Sequence, residues 1–318
     1  MTDYAALLSE RFPVRKTKAQ RQAFRDWLTT ELKTLGYNPR EETNGFLKAR
    51  NILVGNPDKT GALFTVRTDT PARWILPDLW FPRNIVMWLI WQLLHLILLL
   101  LPALMVYLAV WQISGQNARI GLWAFVLTYV TTLLATQFGP ANHVNRGEDA
   151  DLAAMLTLMA MIPEEDREKA AFLFTDRGAV GGMGAKAWTK EHPVPAYTRL
   201  TVVLSRIGAG KTVLLVSNKY AEKATGFGSL KSSFSQRDGK ETEHCPALGC
   251  TLRGDRKAFR CGVSLTACHR LKFLGLWCRG GHTSSSPDRE IDPDNIAYVS
   301  ESCASFLSSL KLNREKHR

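Results

Sequence analysis

Two absences stand out at the start of this sequence. No cysteine occurs before Cys245, although six follow in the last quarter of the chain. The N-terminal residues also lack the uninterrupted apolar core of a secretory signal peptide. The soluble parts are therefore expected to stay in the cytoplasm, where cysteines are kept as reduced thiols.

The six cysteines lack the paired spacing of a structural zinc site. Four residues separate Cys245 from Cys250, six separate Cys261 from Cys268, and Cys278 follows at a distance. These intervals do not repeat the tight knuckles that zinc ribbons use. We expect buried free thiols instead. Disulfides would be expected only if the domain lay outside the cytoplasm.

Acidic residues are too few to balance the basic ones. The chain has 41 Lys and Arg against 29 Asp and Glu, which gives a formal net charge of +12. Such an excess favours an acidic partner, either nucleic acid or anionic lipid headgroups. The apolar segments described next make the lipid bilayer the expected partner, and no nucleic acid is expected.

Formal charge is missing from two long apolar runs in the middle of the chain. Residues 85–113 contain no Lys, Arg, Asp or Glu, and residues 120–138 contain none either. About 20 apolar residues are enough to cross the hydrocarbon core, and Pro102 offers a kink site in the first run. A transmembrane helical hairpin is therefore predicted over residues 84–138. The alternative is a helical hairpin buried in a soluble core.

The flanking charges predict an orientation for this hairpin. Arg73 and Arg83 precede it and Arg146 follows it, whereas the turn between the two runs carries only Arg119. Because positive charge accumulates on the cytoplasmic side, both termini and the soluble domain are predicted to be cytoplasmic.

The sequence on both sides of the hairpin predicts one α/β domain. Residues 17–35 begin with a capping box and repeat apolar residues at helical spacing, which predicts an amphipathic helix. Apolar strands alternate with helices elsewhere, which is typical of a mixed, mostly parallel sheet. Neither part can close such a sheet alone, so residues 1–83 and 139–318 are predicted to form a single domain around the hairpin. The predicted strands are 46–55, 62–69, 170–176, 200–205 and 212–218, and a further helix is predicted over 152–162.

Two loops are predicted after the fourth of these strands. Residues 206–212, RIGAGKT, resemble a phosphate-binding loop, but Ser205 occupies the position of its first glycine and a strand follows. A β-hairpin turn between two paired strands is predicted there. Residues 226–240 are small and polar and are predicted to form a surface loop. The basic tail at 311–318 is expected to lie in solvent near anionic lipid.

Four blocks of the sequence, in order, resemble the co-catalytic zinc aminopeptidases. Residues 51–73 resemble the strand–loop–strand that ends in His-x-Asp-Thr, and residues 139–156 the segment that supplies a bridging carboxylate. Residues 169–192 resemble the strand that ends in paired glutamates, and residues 280–301 the closing His-Thr segment. The resemblance spans nearly the whole chain and extends to bacterial members that carry a transmembrane hairpin inside the peptidase domain. It implies a three-layer zinc-exopeptidase-like domain in the bacterial cytoplasmic membrane.

The resemblance also implies two zinc ions held by five protein ligands, with a carboxylate as general base. Arg67 stands at the first histidine ligand, and an arginine has no lone pair to donate. Asp69, the family's neighbour of that histidine, is retained. Of the ligand positions, only His282, followed by Thr283, matches the family cleanly.

Most of the remaining positions of the family's metal site carry residues that cannot bind a metal ion or act as a base. The bridging aspartate falls on Gly147 or on Glu148, depending on a one-residue shift in the alignment. The general base falls on Gly178, the adjacent ligand on Ala179, and a further aspartate ligand near Ser205. Zinc is therefore expected to be absent or substoichiometric.

These losses predict a membrane-anchored pseudo-peptidase with a binding or scaffolding role. Peptides, or an active homologous peptidase, are the partners that the resemblance suggests. The alternative is an active membrane-bound metallo-aminopeptidase with substitute ligands. Those substitutes would come from a set of acidic residues and one histidine: Glu148, Asp149, Asp151, Asp176 and His282.

Overall fold

The computed structural model describes residues 2–73, 75–76, 78–235, 240–246, 258–271, 275–280 and 289–310. The elements before residue 84 are α1 (Tyr4–Arg11), α2 (Lys18–Thr34), β1 (Pro39–Asn44), β2 (Ala49–Val54), β3 (Ala62–Arg67) and β4 (Asp78–Trp80). Two long helices follow, α3 (Ile85–Ile113) and α4 (Ala118–Phe138). The elements after them are α5 (Arg146–Met161), a 3-10 helix (Glu164–Lys169), β5 (Ala170–Thr175), α6 (Met183–Glu191), α7 (Pro193–Thr198), β6 (Leu200–Leu204), β7 (Thr212–Ser217), α8 (Phe227–Ser235), β8 (Glu241–Pro246), β9 (Gly262–Leu271), β10 (Gly275–Gly280) and α9 (Pro293–Ser309).

The strands form one mixed sheet whose central strands are parallel. Strands β5, β3, β6 and β9 lie side by side and parallel, and β2 and β1 extend this group on one edge with antiparallel pairing. On the other side β9 pairs antiparallel with β7, which pairs parallel with β8. Strand β10 pairs antiparallel with the far end of β9, and β4 pairs antiparallel with β10.

Helices cover both faces of this sheet. Alternate side chains of β3 and β5, such as Phe64 and Phe172, pack in the main core under α1, α2, α5, α8 and α9. The intervening residues, such as Leu63 and Leu173, pack in a second cluster with Trp188 of α6. This alternation follows from the two-residue period of a strand. The predicted three-layer α/β architecture is therefore confirmed.

The helices and strands that were predicted from local signals are present in the structure. Helix α2 carries the predicted capping box, in which Gln20 N–H donates to the Thr17 hydroxyl and Thr17 N–H donates to the Gln20 side chain. Helix α5, predicted to begin at residue 152, begins earlier, at Arg146. Several other elements were not predicted, among them helix α1 and strand β1. Strand β1 is mostly exposed and carries Arg, Glu and Asn, so it lacks the apolar pattern of a strand.

Two loop predictions are wrong. Residues 206–212 are not a β-hairpin turn, because β6 and β7 do not pair with each other; β9 lies between them and pairs with both. Residues 226–240 are not only a surface loop, because α8 occupies most of the segment and buries Phe227, Leu230 and Phe234. These apolar residues recur at helical spacing, but the surrounding serines and glycines hide the pattern.

Helices α3 and α4 are long and apolar enough to cross a membrane. Only 6% of the most apolar 18-residue window of each is buried. Helices in the core of a soluble protein would instead be covered by other elements. The two helices pack on each other at Gly121, beside Tyr107 and Trp111. Trp88 of α3 also packs against a cluster of β4, β7, β8 and β9, which joins the helical pair to the sheet.

The cysteine prediction holds for three described residues and is wrong for a fourth. Cys245, Cys261 and Cys303 are buried free thiols, whereas Cys268 is disulfide-bonded. Cys268 lies in β9, and the spacing of the cysteines along the sequence does not indicate its disulfide.

Candidate functional site

Three strands end at one edge of the sheet, where the candidate site lies. Arg67 is the last residue of β3, Asp176 follows β5, and Ser205 follows β6. These strands are parallel, so their carboxyl ends lie together, which is the usual position of sites in such sheets. The first turn of α5 brings Glu148 and Asp149 to the same edge. We call this edge the cleft.

An ion pair between Arg67 and Glu148 occupies the centre of the cleft. Arg67 Nε donates to Glu148 Oε2 at 2.5 Å, and Arg67 Nη2 contacts Glu148 Oε1, so the pair is bidentate. The side chain of Arg67 is 19% exposed and that of Glu148 is 4% exposed. Glu148, and not the neighbouring Gly147, is therefore the residue that presents a carboxylate at the end of β3.

The charges around Arg67 keep its guanidinium protonated. Burial by itself lowers the pKa of Arg67, but the Glu148 carboxylate outweighs this effect, and Asp151 and Asp69 act in the same direction. The pKa of Arg67 is consequently raised above its ordinary value. A permanent cation thus stands where the resemblance expects a histidine ligand to a metal cation.

Asp151 lies one helical turn beyond Arg67's partner and binds backbone amides. Its Oδ1 accepts from Ile207 N–H at 2.8 Å and its Oδ2 accepts from Arg206 N–H at 2.9 Å. Burial and the nearby Glu148 carboxylate raise the pKa of Asp151 to about 7. The hydrogen bonds from the two amides and the charge of Arg67 lower this pKa, but by less. Asp151 therefore fastens α5 to the loop after β6.

Asp149 points away from Glu148 and toward the N-terminal segment. Its carboxylate accepts from Arg15 Nη1 at 2.7 Å and from the Ser9 hydroxyl at 3.0 Å, and the side chains of Arg15 and Asp149 are fully buried. Arg15 also donates from Nε to the Thr68 carbonyl at 2.7 Å. This pair holds the N-terminal segment against the end of β3.

Asp176 is likewise engaged by cations rather than free for a metal. It lies 3.1 Å from Arg21 Nε and accepts from the Arg50 N–H at 3.2 Å. Its side chain is 4% exposed. Asp176 therefore links the end of β5 to α2 and β2.

The residues at the positions where the resemblance expects ligands contribute backbone rather than side-chain contacts. Ala179 N–H donates to the retained Asp69 carboxylate, 3.1 Å from Oδ1, so Asp69 positions the loop after β5 that also contains Gly178. Ser205 N–H donates to the Leu265 carbonyl at 3.1 Å and continues the ladder of β6 and β9. His282 and Thr283 lie outside the described residues.

The described part of the cleft does not fit two zinc ions. Within that part of the chain, no group of three or more His, Cys, Asp or Glu residues could hold a metal ion. Glu148, Asp149 and Asp176 are each paired with an arginine, and Arg67 places a cation among them. Zinc sites use neutral imidazole, thiolate or carboxylate donors.

The N-terminal segment is a part of the site that the sequence did not indicate. Lys16 Nζ donates to the Gln137 carbonyl at the end of α4, 2.7 Å away, and burial lowers the pKa of Lys16 although Asp69 opposes the change. Arg73 N–H donates to the Pro140 carbonyl at 2.9 Å. The only signal for this arrangement is the basic segment around Pro13, which has no regular period. The cleft consequently lies beside the base of the helical pair.

Known structures resemble this chain over almost its full length. A Zn-dependent exopeptidase from Parabacteroides distasonis matches with a TM-score of 0.56 and 14% identity, covering 96% of each chain. A glutaminyl cyclase from Porphyromonas gingivalis matches with a TM-score of 0.55 and 14% identity, covering 96% of this chain and 97% of that one. A leucine aminopeptidase precursor from Bacteroides thetaiotaomicron matches with a TM-score of 0.51 and 12% identity, covering 97% and 95%.

Comparison of the sequence alone finds no similar protein or family. No protein-family model matches the chain, and no curated protein matches it. Identities of 12–14% carry the architecture but not the activity. The chain nevertheless has the fold that these zinc-dependent exopeptidase, aminopeptidase and glutaminyl cyclase structures share.

Proposed function

We propose that this protein is a membrane-anchored pseudo-peptidase that binds polypeptide in the cleft without hydrolysing it. The observation that carries the proposal is the bidentate pair of Arg67 and Glu148. Zinc-activated hydrolysis needs a metal cation, a bridging carboxylate and a general base. Arg67 stands where the resemblance expects a metal ligand, and Gly178 stands where it expects the general base.

The competing function, an active metallo-aminopeptidase with substitute ligands, has less support. Three of the substitute carboxylates are already bound: Glu148 by Arg67, Asp149 by Arg15, and Asp176 by Arg21. A zinc ion would have to displace these arginines and leave their buried charges without partners.

Elemental analysis of the purified protein tests the catalytic half of this proposal. We expect less than one zinc ion in ten chains and no turnover of a panel of aminoacyl chromogenic substrates. About two zinc ions per chain, with turnover that a chelator abolishes, would establish the peptidase instead. The binding half is tested by fluorescence anisotropy with labelled peptides, and no binding to any peptide of a broad panel would contradict it.

We further infer that α3 and α4 are a transmembrane hairpin inserted between residues 1–83 and 139–318, with the soluble domain in the cytoplasm. Support comes from the arginines on the flanks and from the single Arg119 in the turn. The cleft adjoins the base of the hairpin through Lys16 and Arg73. Its peptide ligand, or an active homologous peptidase, would thus be met at the membrane surface.

Cysteine labelling in intact cells tests this orientation. A thiol reagent that cannot cross the membrane is expected to leave a cysteine introduced at the exposed Lys18 unlabelled, and to label one introduced at Gly115 in the hairpin turn. The reverse result would place the domain outside the cytoplasm. A permanently oxidised Cys268 would agree with that reverse result, because the cytoplasm reduces most disulfides.

A further inference from the structure

The turn between β1 and β2 presents two neighbouring apolar side chains to solvent. Phe46 is 97% exposed and Leu47 is 38% exposed. Contact of a phenylalanine ring with water is unfavourable, and this ring has almost none of its surface covered. We call residues 45–48 the tip. Two adjacent apolar residues at such a protruding position are typical of a surface that another apolar phase covers.

Hydrogen bonds fix the backbone of the tip. Lys48 N–H donates to the Gly45 carbonyl at 3.0 Å and closes the turn. Gly45 N–H donates to Glu191 Oε1 at 3.0 Å, and Asn44 Nδ2 donates to Glu191 Oε2 at 2.6 Å. These bonds fasten the turn to the end of α6. The two apolar side chains are therefore held outward on a fixed support rather than folded back onto the domain.

The tip lies at the same edge of the sheet as the cleft. Strand β2 runs antiparallel to β5, so β2 begins where β5 ends. Arg50 N–H, near the start of β2, accordingly donates to the carboxylate of Asp176, which follows β5, at 3.2 Å. The tip immediately precedes β2 and consequently adjoins the cleft.

A chain of contacts joins this edge to the base of the helical pair. Asp176 lies 3.1 Å from Arg21 Nε, and Arg21 Nη1 donates to the Lys16 carbonyl at 2.9 Å. Lys16 Nζ in turn donates to the Gln137 carbonyl at the end of α4. The tip and the base of the helical pair therefore lie at the same edge of the domain.

The surface between the tip and the helical pair is mainly basic. Its cations come from the tip, the start of β2 and the segment that leads into α2: Lys16, Lys18, Arg21, Lys48 and Arg50. Three carboxylates in the same stretch are engaged by arginines or by the tip itself: Glu41, Asp176 and Glu191. Exposed apolar residues flanked by cations are typical of surfaces that bind anionic membranes.

We propose that the tip and these cations form a second contact with the bilayer, which lays the cleft edge of the domain against the membrane surface. Phe46 and Leu47 enter the interfacial layer, and the exposed lysines meet anionic phospholipid headgroups. The helical pair alone would leave the domain free to tilt, whereas a second contact beside the cleft fixes its orientation. The proposal rests on the transmembrane hairpin inferred above and is separate from peptide binding in the cleft.

Site-specific fluorescence in nanodiscs of phosphatidylcholine and phosphatidylglycerol tests this contact. Phe46→Cys in the full chain is labelled with an environment-sensitive thiol dye, and labelled wild type supplies the background from the native cysteines. We expect blue-shifted emission that spin-labelled lipid quenches. The matched control is Tyr220→Cys, at an exposed aromatic position after β7, where the sheet ends opposite the cleft. Its dye should emit as in water and escape quenching.

The contribution of the cations is tested with the same dye at position 46. Lys18→Gln/Lys48→Gln should weaken the quenching by lipid, and so should the omission of phosphatidylglycerol, because both remove the attraction between lysine and anionic headgroups. Both lysines are exposed, so the variant is expected to fold. Quenching that neither change weakens would show that the cations take no part in the contact.

Three further results would overturn the proposal. They are water-like emission at position 46 in the reconstituted chain, equal quenching at position 220, and a blue shift that spin-labelled lipid does not quench. The last result would place the tip against protein, such as a second copy of the chain. Failure of the full chain to enter nanodiscs would refute the transmembrane hairpin as well, which distinguishes that failure from loss of the second contact alone.

Discussion

Glu148→Gln is expected to lower the free energy of unfolding by about 3 kcal/mol, because it leaves the guanidinium of Arg67 without a counter-charge. The two side chains are 19% and 4% exposed, so water can replace little of the lost interaction. The introduced glutamine keeps the shape of the side chain and one acceptor oxygen, so that the loss reports the charge. Guanidinium-induced unfolding of the full chain in detergent, followed by circular dichroism, gives the measurement.

The matched comparison is Arg67→Met/Glu148→Leu, which removes both charges together. Replacing a whole buried ion pair by apolar residues is often neutral, so we expect this double variant to recover most of the loss seen for Glu148→Gln. Non-additivity of this kind is the mark of direct contact between two residues. If Glu148→Gln is as stable as the wild type, the ion pair between Arg67 and Glu148 is not formed. The proposed function would then lose the observation that carries it.

Stability is expected to fall as the pH rises from about 4 to about 7, because of Asp151. Burial and Glu148 raise the pKa of this carboxyl from 3.8 to about 7 in the folded chain. Below pH 3.8 the folded and unfolded states both hold the proton. Between these two pKa values only the folded state holds the proton, so each rise in pH favours the unfolded state. Above pH 7 both states have lost the proton, and the loss of stability stays constant. The total change is on the order of 4 kcal/mol, from about 1.4 kcal/mol per pKa unit.

Asp151→Asn isolates this contribution from that of other titrating groups. Asparagine cannot ionise, but it retains only one acceptor oxygen for the two amides of Arg206 and Ile207. The variant should therefore be less stable than the wild type at pH 5, and this difference in stability should shrink steadily up to pH 7. Unfolding midpoints of both proteins between pH 5 and 8 provide the comparison, and a constant difference across that range would contradict the assignment.

Much of the architecture could be read from the sequence because the signals for it are local. A helix of the length of α3 is predicted by the absence of charge over 29 residues, and α2 by its capping box and apolar period. Strands β3, β5, β6 and β7 are apolar on both faces, which marks the centre of a covered sheet. The order of β6, β9 and β7 was missed, since no local pattern reveals that a later strand will separate two earlier ones.

In the cleft, too, the sequence predicted some features and only the tertiary structure decided others. From position along the chain, the sequence by itself predicted that Arg67, Ala179 and Ser205 stand at ligand positions, and Gly178 at the general base, of the zinc aminopeptidases that it resembles. It did not determine which acidic residue of α5 would meet Arg67. Successive residues of a helix point about 100° apart, so Glu148 turns to Arg67 while Asp149 turns to Arg15. Only the packing of α5 against β3 and the N-terminal segment decided that choice, because the two arginines come from parts of the chain more than fifty residues apart.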